Sequence, residues 1–199
     1  MRFRPEPLRR IAAAWHSSAV VGQAYVCLGG KRTLGKSCLS RCYADLMSIE
    51  GQKFSYPGAV ASPRQVLGLA EEYRRAAHAL LPTGRRKQPL SHAPYRLVAI
   101  HSLELHLNAL LLATGHPTAR VRGLQHDFAT RTDLAIAAGI NLRKRTILHL
   151  RGLSETREYL ITRYDPELSA SSQLNRLAAT LEEVAEKVAT IVKQSESSC

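Results

Sequence analysis

His101, Glu104 and Asn108 stand three and then four residues apart, a spacing that stacks an imidazole, a carboxylate and an amide along one line of an α-helix. The stretch that carries them is otherwise almost wholly apolar. Ile100, Leu103, Leu107, Leu110 and Leu111 fill one side, and Val98, Leu105 and Leu112 make the opposite side apolar too. A helix that is apolar all round belongs at the centre of a fold. A carboxylate buried in such a helix needs partners. Two arrangements meet that need: neighbouring helices supply the partners, or the ridge faces a cleft. No metal is expected; His101 with Glu104 comes nearest to a ligand pair, and a structural hydrogen bond accounts for the two better.

A second pattern lies far upstream. Gly30, Gly35, Lys36 and Ser37 fit the phosphate-binding spacing G-x-x-x-x-G-K-[ST]. In that reading Lys36 reaches the β- and γ-phosphates and Ser37 holds Mg²⁺. A loop of this kind works in a parallel sheet, with a second strand ending in Asp for the metal. Residues 63–193 read as helical, so nothing downstream builds the sheet. No cofactor is expected, and the nucleotide-binding loop is kept only as an alternative.

Charge points to an anionic partner. The 199 residues carry a formal net charge of +12, with 45% hydrophobic and only 6% aromatic residues. Residues 1–46 hold eight basic residues against Glu6 and Asp45, so half of the excess sits in less than a quarter of the chain. The rest is spread over Arg85, Arg86 and Lys87, over Arg120 and Arg122, and over Arg143, Lys144 and Arg145. Such sets suit phosphates, and a solvated surface explains them as well. No apolar run of 18–20 residues is unbroken, so no membrane span is expected. The four cysteines, at 27, 38, 42 and 199, form no C-x-x-C pair, which fits a reducing, cytoplasmic setting.

The elements that must position these residues follow from period and punctuation. Residues 1–61 show no lasting period and read as a basic N-terminal arm, disordered or the product of a start placed too early. Residues 62–199 read as an all-α, up-and-down bundle of about five helices. Ser62 caps the first, with Pro63 in its first turn. The central helix starts near 93–95 and stops at Gly115. A third covers 123–139, ending at Gly139 and preceded by a connection holding Arg120 and Arg122. A fourth is capped by Asn141 and runs to Pro166, with a bend expected at Gly152. The last spans about 169–193, with Leu174, Leu177, Leu181, Val184, Val188 and Ile191 three and four apart. That seam suits a bundle, and a coiled coil is the alternative.

The runs IHSLELHLNALLLATG, LQHDF and REYLITRYDPE, followed by the closing amphipathic helix, resemble the HEPN family over roughly residues 62–194. The resemblance implies a five-helix bundle, commonly a homodimer, associated with RNA or nucleotides. It also implies toxin–antitoxin or defence systems, with an antitoxin or a nucleotidyltransferase as partner protein. Glu104, His126 and Asp127 match the family's signatures. His101 and Asn108 stand where lysines are common, and Gln125 where glycine is usual. Nuclease members carry Arg, four to six residues, then His; Arg143 and His149 fit that spacing, with Lys144 in place of the usual polar residue. Arg163, Tyr164 and Pro166 place the chain nearer to members without nuclease residues. If the nuclease pair acts, His149 would transfer the proton in a metal-independent 2′-hydroxyl attack, and Arg143 or Arg145 would hold phosphate oxygens. The leading expectation is a module that binds RNA or nucleotide through the same basic residues without cleaving it, with the endoribonuclease as the alternative.

Overall fold

In a computed structural model, which describes residues 56–197, every regular element is helical. Five longer helices are joined by two short ones among the described residues. These are α1 (Pro63–Leu80), α2 (Ala93–Ala113), α3 (Thr118–Gly123), α4 (Phe128–Ala137), α5 (Lys144–Glu155), α6 (Glu158–Tyr164) and α7 (Leu174–Ser197). The residues of the phosphate-loop pattern, Gly30, Gly35, Lys36 and Ser37, lie outside the described residues.

The start of α1 is written in its sequence. The Ser62 hydroxyl accepts from the Gln65 N–H at 3.2 Å, and the Gln65 side chain accepts from the Ser62 N–H at 2.9 Å. This reciprocal cap satisfies two helix-end donors, and Pro63 adds a preset φ. Helix α1 lays Leu67, Ala70 and Ala77 on α2.

Helix α2 is the centre. Residues 89–113 are long and apolar enough to cross a membrane by length and composition, and more than half of their most apolar window is buried inside the bundle. Leu103, Leu107, Leu110 and Leu111 have no exposed surface. α1 lies along one side and α7 along another, with α4 and α6 against the remainder. Truncating such a leucine to alanine costs about 2–5 kcal/mol. The helix ends as a left-handed glycine should end it: Gly115 has φ +87°, its N–H donates to Leu112, and the His116 N–H donates to Leu111.

Three boundaries differ from the sequence reading. The expected helix over 123–139 begins only at Phe128, because Asp127 caps it by accepting from the Thr130 N–H at 3.0 Å. The stretch before it turns at Gln125, whose φ of +48° is left-handed; that conformation explains why glycine suits the position. Arg120 and Arg122 sit on the short α3 rather than in a loop. The long helix expected after Asn141 is two helices. The break falls at Arg157, φ +53°, and not at Gly152, which stays helical inside α5. Finally α7 starts at Leu174, because Asp165 ties up the preceding loop by accepting from the N–H groups of Glu167 and Ser169. Its buried seam of Leu177, Leu181, Val184, Val188 and Val192 packs within the bundle.

Candidate functional site

The ridge on α2 meets both of its possible fates at once. Glu104 is held by its neighbours: Oε2 lies 2.9 Å from His126 Nδ1, and Oε1 accepts from Arg131 Nη2 at 3.3 Å. Arg131, only 1% exposed, also donates from Nε to Asn108 Oδ1 at 2.8 Å. One guanidinium therefore bridges two members of the ridge, one helical turn apart. Burial pulls Arg131 below its ordinary pKa, and the charges of Glu104 and Asp127 oppose that pull. An arginine so placed remains a cation.

His101 completes the line differently. Its ring meets Tyr73 edge-on, with centroids 4.5 Å apart. Burial lowers its pKa, against the pull of Glu104, so the imidazole is neutral at physiological pH. His126 lies tilted on Tyr159, also at 4.5 Å.

The same residues line a cavity of about 740 Å³. Val66, Leu69, Leu105, Leu112 and Val121 make its wall apolar, and His101, Glu104, Asn108, His126 and Arg131 gather as its polar lining. Tyr56 and Arg122 contribute as well, with the Arg122 guanidinium carbon 4.3 Å from the centre of the Tyr56 ring. An apolar pocket with a few convergent polar groups is the usual form of a small-molecule site. The chemistry on offer is recognition. Glu104 is engaged by two donors, and Asn108 keeps an amide nitrogen without a partner among the described residues. No cluster of three metal-ligating side chains occurs among the described residues.

Arg131 was invisible to the sequence reading. A signal existed: it stands on the same helical face as Phe128, Thr132 and Ala135, the buried side of α4. A cation in an apolar stripe calls for a buried carboxylate across the interface.

The other expected residues fall into separate places. Arg143, Lys144 and Arg145 form the exposed start of α5 and, with Arg176 and Glu183 of α7, line a hollow of about 340 Å³. His149 is not among the residues of that hollow. Its Nδ1 lies 2.8 Å from Thr180 Oγ1, and its Nε2 is buried without a partner among the described residues. Burial, aided by the charges of Arg176 and Arg96, pulls its pKa down to about 4. Such a ring is uncharged at neutral pH and a weak base. The N-cap residue of α5 is Arg143 and not Asn141, and Glu183 caps the helix from α7, accepting from the Arg143 N–H at 2.8 Å and from Thr146 Oγ1 at 2.6 Å. Those bonds and Lys187 outweigh the cost of burial and hold the Glu183 carboxyl down to about 2. Arg85 and Lys87 line a third cleft, while Arg86 and Arg120 are exposed.

Among the described residues, fold and site together define an all-helical bundle with a mixed apolar and polar cavity against its central helix. Set beside known proteins, the chain matches no family model, no curated protein and no solved structure.

Proposed function

We propose that the chain is a binding module that seats a nucleotide, or one unstacked base of an RNA strand, in the cavity over Glu104. The observation that carries this reading is the preorganised polar set of Glu104, Asn108 and Arg131 beside an apolar wall. The wall suits the face of a base, and the free amide of Asn108 suits its hydrogen-bonding edge. Arg122 offers a guanidinium to a phosphate. The net charge of +12 draws such a ligand in. The HEPN resemblance supports the same class of ligand, and a homodimer and a partner nucleotidyltransferase or antitoxin belong to the same proposal. His149, neutral and bonded to Thr180, favours binding over cleavage.

The test is titration of purified protein with mononucleotides and with single-stranded oligoribonucleotides. Leu69, 49% exposed at the cavity wall, is changed to Trp to fill the space, and Arg122 is changed to Ala. Leu69→Trp should abolish binding of an oligoribonucleotide that carries no terminal phosphate. Arg122→Ala should weaken it about 10-fold, or ~1.4 kcal/mol, with a shallower salt dependence. Binding of that strand that survives Leu69→Trp unchanged would sink the assignment.

A further inference from the structure

The cleft lined by Arg85 and Lys87, of about 470 Å³, opens between the loop before α2 and the loop before α7. Its lining brings together Arg85, Lys87, His92, Arg96 and Ser171. Arg96 stands deepest, at 6% exposure, and donates from Nη1 to Glu158 Oε1 at 2.7 Å. Glu158 is itself 1% exposed and accepts from Ser172 N–H and Oγ at 2.9 and 3.1 Å. The carboxylate therefore has three donors, while the other N–H groups of Arg96 have no partner among the described residues. His92 Nδ1 is buried and likewise unpartnered among them.

Both walls are held in shape from inside. Ser91 Oγ accepts from the Arg85 N–H at 2.7 Å and donates to the Gln88 carbonyl at 2.6 Å. A Cβ at Gly84 would lie 1.9 Å from the His92 ring, so a side chain there would displace that ring. Across the cleft, Asp165 holds the Glu167 and Ser169 N–H groups. Each wall also keeps one non-glycine residue in the left-handed region, Lys87 at φ +61° and Leu168 at φ +52°. Conformations of that kind cost energy and persist where surrounding structure imposes them, often at ligand sites.

We propose that this cleft binds a phosphate monoester, independently of the cavity over Glu104. Three cationic side chains and one hydroxyl converge from two walls and the floor. Glu158 is already matched, so the one opposing charge in the lining is Glu167, which is exposed. A monoester carries a charge of about −1.5 to −2 near neutral pH and three terminal oxygens. It can use donors from several directions, as a guanidinium fork and an ammonium group supply them. Pro89 and Leu174 give the esterified part an apolar ledge. The phosphate could come from a free nucleoside monophosphate or from the 5′ end of an RNA.

The full chain is titrated with inorganic phosphate, with a nucleoside monophosphate, and with one oligoribonucleotide bearing either a 5′-phosphate or a 5′-hydroxyl. The variants are Arg85→Ala/Lys87→Ala, both exposed positions, and Leu69→Trp as the control that fills the first cavity. Phosphate should bind the parent, and monophosphate the Leu69→Trp protein, and both should lose about 10-fold or more when the Arg85→Ala/Lys87→Ala changes are added. Leu69→Trp, which fills the first cavity with an apolar ring, should leave inorganic phosphate binding as it is. A preference for the 5′-phosphorylated strand that disappears in the double variant assigns the site to RNA ends; binding of the small esters without that preference assigns it to free nucleotides. Absence of phosphate binding, or equal binding by the double variant, overturns the proposal, whatever happens at the cavity over Glu104.

Discussion

The cavity over Glu104 and the seam between α5 and α7 hold the same residue types and differ in what those residues have left to give. Each region has a carboxylate, a histidine and arginines. At the seam, Glu183 caps α5, binds Thr146 and pairs with Lys187, and His149 rests against Thr180 with its other nitrogen sealed in protein. At the cavity, Arg131 joins Glu104 to Asn108 and the trio still lines open space. The lesson is that residue type and spacing do not define a site. Unspent hydrogen-bonding capacity beside a space of the right size does.

The sharpest way to break the comparison is Arg131→Met. It leaves the Glu104 carboxylate with His126 alone in a poorly hydrated place. Loss of one partner of a buried pair costs about 3–5 kcal/mol, which chemical denaturation measures directly. Adding Glu104→Gln should recover part of that loss and leave ligand binding absent. A single variant as stable as the parent would mean that the pair is solvated and the cavity is not preorganised.

Glu183→Ala comes next, at about 2–3 kcal/mol, because it uncaps α5 and strands the buried Thr146 hydroxyl. It should leave nucleotide affinity unchanged, since the seam is structural. The pH dependence carries a sign. The Glu183 carboxyl is held at about 2, below its ordinary 4.5. Its contribution is therefore present above 4.5 and is lost as pH falls toward 2. Acid denaturation of parent and variant should converge over that interval.

The smallest effect on stability at neutral pH is expected from His149→Gln. His149 is depressed from 6.5 to about 4. Below 6.5 the unfolded chain takes up a proton that the folded chain refuses, so the parent loses stability as pH falls from 6.5 to 4. The variant should lose less over that interval, seen in urea midpoints measured across it. The same variant should leave RNA or nucleotide binding intact. If binding or an RNA-cleaving activity disappears with His149, the seam and not the cavity is the working region.

Some of this was legible because it is local. Ser62, Pro63 and Gln65 lie within one turn of each other, so the start of α1 could be read directly. Gly115 and Gly139 end their helices with φ of +87° and +94°, as glycine after an apolar run suggests. The break at Arg157 was not legible, because a left-handed arginine has no sequence mark and Gly152 offered a false one. Glu183 as a cap was equally hidden: it reaches α5 from forty residues away.

The order of residues alone decided that the described part would be helical, that residues 93–113 would form its central helix, and that Glu104 would need a partner there. Period, caps and the cost of burying a charge are properties of short stretches, and they hold whatever the neighbours are. The tertiary structure alone decided that the partners are Arg131 and His126, that a cavity remains beside them, and that His149 is closed in. Those outcomes depend on which helix faces which, and on the volume left unfilled when they pack. No local pattern encodes that volume, because the side chains that border it come from α1, α2, α3 and α4 together.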